Sequence, residues 1–339
     1  MRLDEACLPV FARHETFHPR LGWFRKAALA ASTDSGGFFL AEDAPVRLGV
    51  GKNMVRSIKF WGTAARLIAD VDHPSNSRLT YVAPTNLAVG LLGANGLDPY
   101  MERPATWWWL HWMILSPGCS LPVWWALFNE FHAVEFDAGL ASQVCIDIID
   151  GADWEAPHPS SIEKDVSAFL RTYAAPHGQR GRFDDRFGCP LRDLRVLTTT
   201  DSGFRFATAM PTTLPPIVLL AAVLDYLAVT RTSARSAALS RLATEAGSPA
   251  RAFRLTASQL GEALEPAVKV VKGVSLSSPA GAVQLGWRGE PAELAHRILC
   301  SAYAADPDRP PVAGPLARDA NDDVLGRLRL TRYAQGAVL

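Results

Sequence analysis

The segment from Ala41 to Phe60, AEDAPVRLGVGKNMVRSIKF, decides how the rest of the chain is read. A helix-turn-helix needs a short first helix, a glycine in the turn, and apolar residues where its helices press on each other and on a third. With Gly49 as the turn glycine, the inward positions are Ala44, Leu48, Val50, Val55 and Ile58, all apolar. The outward positions are Lys52, Asn53, Arg56, Ser57 and Lys59, all polar or basic. Pro45 is compatible with this only near the start of its helix, where a missing N–H costs nothing.

The same stretch concentrates charge. From Arg47 to Arg66 there are five cations (Arg47, Lys52, Arg56, Lys59, Arg66) and no Asp or Glu. Residues Ala65 to Ile68 and Arg78 to Val82 flank Asp72-His73-Pro74-Ser75-Asn76-Ser77, a strand, turn, strand pattern that fits a wing. In a double-stranded DNA reading, Asn53 and Arg56 reach base edges, since an amide suits adenine and a guanidinium suits guanine. Arg47, Lys52, Lys59 and Arg78 then neutralise phosphates, with Ser57 on the same face. The alternative is a solvated basic helix in a domain that uses its shape to pack against protein, because fold alone does not decide function.

Outside this segment, 339 residues allow two or three domains. Apolar residues are 48% and charged residues 20%, which excludes disordered, collagen-like and coiled-coil classes. Lys plus Arg and Asp plus Glu are both 34, so the whole molecule is no polycation and attraction to nucleic acid must be local. Five dispersed cysteines (Cys7, Cys119, Cys145, Cys189, Cys300) make neither a zinc ribbon nor a disulfide framework, and read as reduced thiols of a cytoplasmic protein. Acids at Asp4 and Glu5 stand where a secretory signal needs basic residues. The greasiest stretches, Trp107 to Leu115 and Ile217 to Val229, are shorter than the roughly 20 residues that cross a bilayer, so no membrane is expected.

Periodicity predicts mainly α structure with small antiparallel hairpins: an N-terminal winged helix-turn-helix, then further helical, winged-helix-like units. Helices are expected from Pro19 to Ala31, from Pro159 to before Pro176 with a Ser160/Glu163 capping box, and from Pro215-Pro216 through Val229. Others are expected at Ala237 to Glu245, Ser248 to Leu264 and Asp319 to Tyr333. Hairpins are expected around Asp201-Ser202-Gly203 and around 277–281, and a loop or connection over Gln179 to Arg195. The expected units are a winged-helix domain at 1–100, a Trp-rich helical segment at 101–158, and a second helical or winged-like unit at 159–232. A third helical unit with a hairpin covers 233–303, and a linker with a last helix covers 304–339.

Three motifs suggest other chemistry. His14-Glu15-Thr16-Phe17-His18 satisfies H-E-x-x-H, which on a helix aims two imidazoles at one zinc ion with the glutamate as general base. Pro19 pushes His18 out of the helical region, which spoils that alignment, and no third ligand is evident. The competing reading is an N-terminal arm in which His14 and Glu15 make hydrogen bonds. Gly49-Val50-Gly51-Lys52-Asn53 resembles part of a phosphate loop, but Val46 and Asn53 replace its glycine and its Ser or Thr. Trp107, Trp108, Trp109, Trp112, Trp124 and Trp125 suit base stacking, yet Leu110, Met113, Ile114, Leu127, Phe128 and Phe131 interleave with them as in two packed core helices.

The strings HETF (14–17), LGW (21–23), EDAPVRLGVGKNMVRSIKFWG (42–62), DPY (98–100), LHW (110–112), FNEF (128–131), SIEKDV (161–166), FLRTY (169–173) and GSP (247–249) occur in order. Together they resemble the bacterial family known as domain of unknown function 4007, from about Phe11 to about Trp287. The resemblance implies a prokaryotic cytosolic protein whose relatives sit beside phosphoadenosine-phosphosulfate-reductase-like genes, in clusters tied to DNA sulfur modification and anti-phage defence. It supplies no catalytic residues. The expectation is therefore a double-stranded-DNA-binding accessory or recruiting subunit of such a system, without catalysis, cofactor or metal of its own. The alternative is a protein-only assembly or regulatory subunit that partners a phosphoadenosine-phosphosulfate-reductase-like sulfur-transfer enzyme or another defence-system protein.

Overall fold

The computed structural model describes residues 1–73, 76–174, 188–230 and 234–303. One turn of helix, α1 (Leu3–Ala6), leads into an arm, and α2 (Trp23–Ala31) follows. This helix starts later than Pro19 because Gly22 stands at its N-cap in a left-handed conformation, φ 83°. Then come α3 (Ala44–Leu48), α4 (Lys52–Ala64) and an antiparallel hairpin, β1 (Ile68–His73) with β2 (Asn76–Pro84), paired from Ile68 opposite Pro84. Helix α2 packs on α4, and α3 packs on α4. Where they cross, a Cβ on Gly62 would stand 2.5 Å from the Ala27 Cβ, so only glycine permits this approach. Gly62→Ala is expected to cost about 1–3 kcal/mol through overpacking, read as a lower midpoint in urea with unchanged slope.

The middle of the chain is built from α5 (Asn86–Leu92), α6 (Pro104–Leu115), α7 (Pro122–Asn129), the short β3 (Glu135–Phe136), α8 (Ala138–Asp150) and α9 (Pro159–Tyr173). The C-terminal part holds β4 (Leu197–Thr200), β5 (Gly203–Phe206), α10 (Pro216–Val229), β6 (Ser236–Ala238) and α11 (Leu239–Thr244). After these come α12 (Pro249–Ala252), α13 (Ala257–Val270), β7 (Val274–Ser277), β8 (Gln284–Trp287) and α14 (Pro291–Ser301). The fold is mainly helical with one two-stranded and two three-stranded antiparallel sheets, the latter ordered β3-β5-β4 and β6-β8-β7.

Helices α6, α7 and α10 are apolar on every side, which is the pattern of a helix with no solvent face. Trp108, Trp109, Trp112, Trp124 and Trp125 have no exposed surface, so the tryptophan-rich stretch is core rather than a base-stacking platform. One apolar cluster runs from Leu3 to Tyr303. No helix among the described residues is long and apolar enough to cross a membrane.

Several expected elements shift. Helix α9 is capped by His158, whose ring accepts from Ser160 N–H, and not by a Ser160/Glu163 box, because Pro159 already occupies its first turn. The expected helix over 248–264 divides into α12 and α13 where Arg254 turns left-handed, φ 58°. Residues 65–67 form no strand, because α4 runs on to Ala64 and Arg66 reverses the chain at φ 60°. Helices α8 and α14 and strands β3 and β6 were not anticipated. Most of the loop over 179–195, the linker and the helix at 319–333 lie outside the described residues.

Candidate nucleic-acid interface

Helix α3 ends because Gly49 adopts φ 65°, ψ 39°, where its N–H donates to Val46 O (3.1 Å) and Val50 N–H to Pro45 O (3.0 Å). That double bond pattern is a Schellman closure, and it needs a residue tolerant of positive φ. Pro45 sits in the first turn of α3, where it removes no helical bond. Ala44, Leu48, Val55 and Ile58 are buried, and Val50 is partly buried against the same core. The helix, glycine turn, helix arrangement expected from the spacing is therefore present, and α2 supplies the third packing surface.

Lys52, Asn53 and Arg56 are exposed on the first turns of α4. No acid lies in the first turn of α4 and no side chain caps it, so its leading N–H groups add to the positive field there. Ser57 does not share this face. It is fully buried, and its hydroxyl donates to His14 O at 3.0 Å, which removes it from any contact with nucleic acid. The register explains this, since Ser57 follows Arg56 by about 100° around the helix and lies beside Ile58.

The cations are also less free than the acid-free window suggested. Arg47 pairs with Asp34 and reaches Asp43 at 3.7 Å, with its guanidinium 4.2 Å from the centre of the Phe38 ring. Asp34, ahead of Asp43, raises the Arg47 pKa. Arg56 stands 3.7 Å from Glu15, and Lys59 is 2.8 Å from Asp70 on β1. Among the described residues, Lys52 is left with no such acid. Arg66 belongs to another part of the fold: it is 5% exposed and donates to Met113 O, Ser116 O and Pro117 O, which closes the C-terminal end of α6. Arg78 falls on β2, but its side chain lies outside the described residues, as does the turn at Pro74 and Ser75. Glu15, Asp34, Asp43 and Asp70 were missed because three of them lie outside the 47–66 window and the fold alone brings them near.

The H-E-x-x-H segment is a turn, with left-handed φ at Glu15 (50°) and Thr16 (64°), so the two histidines do not share a helix face. His14 is buried with its Nε2 2.6 Å from Asp165 Oδ1 of α9, and the same oxygen accepts from Ala12 N–H at 2.9 Å. Burial pushes the Asp165 carboxyl above its usual range, and the hydrogen bond from His14 pulls it back. Phe17 O accepts from Trp61 Nε1 (3.0 Å), and Thr16 O accepts from Arg171 Nη2 (2.7 Å). The arm thus bolts α4 to α9. Among the described residues, no group of three or more His, Cys, Asp or Glu side chains is placed to hold a metal ion.

The family described as "Protein of unknown function (DUF4007)" matches residues 11–303, most of the chain. The protein belongs to this family. Two solved structures resemble it. A crystal structure of SspB is 36% identical with a TM-score of 0.83, covering 92% of this chain and 94% of SspB. A magnesium-ion-bound crystal structure of SspB is 35% identical with the same TM-score of 0.83, covering 91% and 93%. No curated protein matches the chain. At this identity and coverage, the α3–α4 unit and the clamped arm sit within a fold shared by the family's solved member.

Proposed function

We propose that the protein is a double-stranded-DNA-binding accessory subunit of a prokaryotic DNA sulfur-modification or defence system, reading duplex through the α3–α4 unit. The observation that carries this reading is the exposed trio Lys52, Asn53 and Arg56 on the acid-free leading turns of α4, immediately after a glycine-turned helix pair. In the winged-helix reading, the β1–β2 hairpin is the wing and α4 the recognition helix, whose N-terminal residues face base edges. Asn53 and Arg56 contact bases while Lys52 contacts phosphate. Arg47 and Lys59 play a lesser part. Their partners are surface acids, and exposed pairs of this kind contribute at most about 1 kcal/mol, little enough for a phosphate to displace them. Resemblance to SspB and membership of the family support the cellular setting. Magnesium in one SspB structure has no counterpart among the described side chains here, and no step of this reading runs through a metal.

A second reading keeps the same system but gives the unit a protein partner. It is favoured by Leu40 and Val46, which are 80% and 82% exposed beside α3. Bare aliphatic side chains this open suit a protein surface better than a polyanion.

Lys52→Glu with Arg56→Glu is expected to weaken duplex binding about 30-fold, or about 2 kcal/mol, in fluorescence anisotropy at fixed salt. The protein should fold as before, since both residues are exposed. Unchanged affinity would assign the α3–α4 surface to the second reading.

A further inference from the structure

A cavity of about 260 Å³ opens between the end of α7, the β5 strand end and the α12–α13 junction. At roughly 30 Å³ per water it has the volume of eight or nine waters, ample for a phosphate-sized anion with part of its hydration. Arg251, Arg254, His132, Thr208 and Thr256 are the polar side chains of its wall.

The two arginines are placed unusually for cations. Their hydrogen bonds go to the carbonyls at the end of α7, Arg251 Nη2 to Asn129 O and Arg254 Nη1 to Phe128 O at 3.5 Å, and not to a carboxylate. The Arg251 Nε is buried without a partner, which leaves a guanidinium donor unused. Arg254 sits at φ 58°, a conformation that costs a non-glycine residue about 1 kcal/mol, and lies 4.2 Å from the centre of the Phe206 ring. Burial lowers the pKa of both groups, that of Arg254 to about 10 with the charge of Arg251 adding to the effect. Glu130 is the acid that acts on Arg251, and its own carboxyl is pushed up by burial, which weakens it as a counter-ion. Two partly desolvated guanidiniums against one reluctant carboxylate leave an excess of positive charge facing a wet cavity. Desolvated charge of this kind is costly unless an opposite charge arrives.

We infer that this cavity is an anion site, separate from the α3–α4 surface, that takes a phosphoryl group between Arg251 and Arg254. Guanidinium forks bind tetrahedral oxyanions through paired N–H bonds, and the hydroxyls of Thr208 and Thr256 lie in the same wall. The phosphoryl group belongs either to a free phosphate ester or to a nucleic-acid backbone.

Titration of the full chain with inorganic phosphate in a calorimeter, at constant ionic strength with chloride as control, is expected to show saturable binding of about millimolar strength. Arg254→Gln should weaken it at least tenfold. His132→Glu should do the same from the exposed mouth, where the change does not threaten folding. The Lys52→Glu, Arg56→Glu variant should bind phosphate as the wild type does, so failure of the DNA reading and failure of this site are separately visible. Repeating the titration with duplex present identifies the source. Competition assigns the site to the nucleic-acid backbone, and independence assigns it to a free phosphate ester. No phosphate binding beyond chloride, or equal binding by wild type, Arg254→Gln and His132→Glu, would overturn the site.

Discussion

Replacing His14 by alanine is expected to lower the folding free energy by about 4 kcal/mol. The imidazole is fully buried, and its Nε2 meets Asp165 Oδ1 at 2.6 Å across a sequence separation of 151 residues. Its ring also packs against Phe60, Trp61 and Trp124, with centroids 6.0, 6.4 and 5.8 Å away. Removing it leaves the Asp165 carboxyl 2% exposed with only the Ala12 N–H, besides opening a hole among aromatic rings. Breaking one side of a buried pair costs roughly 3–5 kcal/mol, far above the 0–1 kcal/mol of an exposed pair. The check is urea denaturation of wild type, His14→Ala, Asp165→Leu and the double variant. The double variant should lose much less than the sum of the singles, because the unpaired carboxyl is then absent. Additive losses, or a single loss below about 1 kcal/mol, would show that the arm is not clamped through this pair.

The second large effect is on acid stability and comes from His111. Its Nε2 lies 2.9 Å from Ala252 O, and a carbonyl only accepts, so Nε2 carries the hydrogen. Nδ1 is then the acceptor, and the Tyr173 hydroxyl donates to it at 2.9 Å. Both contacts fit the neutral ring, and burial lowers its pKa from 6.5 to about 4, against a smaller raising effect of the Ala252 carbonyl. The unfolded chain takes up the proton near 6.5 while the folded one resists until about 4, so stability is full above pH 6.5 and drains as pH falls through that window. A shift of about 2.5 units corresponds to about 3 kcal/mol. His111→Gln should be less stable at pH 7, yet its stability should change less between pH 7 and pH 4. Parallel pH profiles for the two proteins would rule out this histidine as the source.

The contrast between what the sequence revealed and what it hid follows the range of the interactions. Gly49 and the apolar spacing around it are local, so the paired helices could be read directly. The tryptophan-rich helices were legible as core because apolar residues surround them on all sides. Electrostatics was not. The cationic window had no acids of its own, but folding brings Glu15, Asp34 and Asp70 to Arg56, Arg47 and Lys59. Arg66 counted as surface charge until its carbonyl partners at 113, 116 and 117 were visible. Ser57 shows how a register set by apolar residues still misplaces a small polar one, because a hydroxyl can be buried wherever a carbonyl such as His14 O waits for it. Arg251 and Arg254 carried no signal in sequence, since their meaning depends on the end of α7 lying beside them.

The central claim is that the leading turns of α4 meet the DNA backbone and bases with Lys52 and Arg56. The most direct measurement is the slope of log affinity for duplex DNA against log salt, for wild type and for Lys52→Ala with Arg56→Ala. Each cation that neutralises a phosphate contributes about 0.9 to that slope, so the double variant should be shallower by about 1 to 2. Equal slopes in the two proteins would mean that duplex is held elsewhere, and would contradict the account.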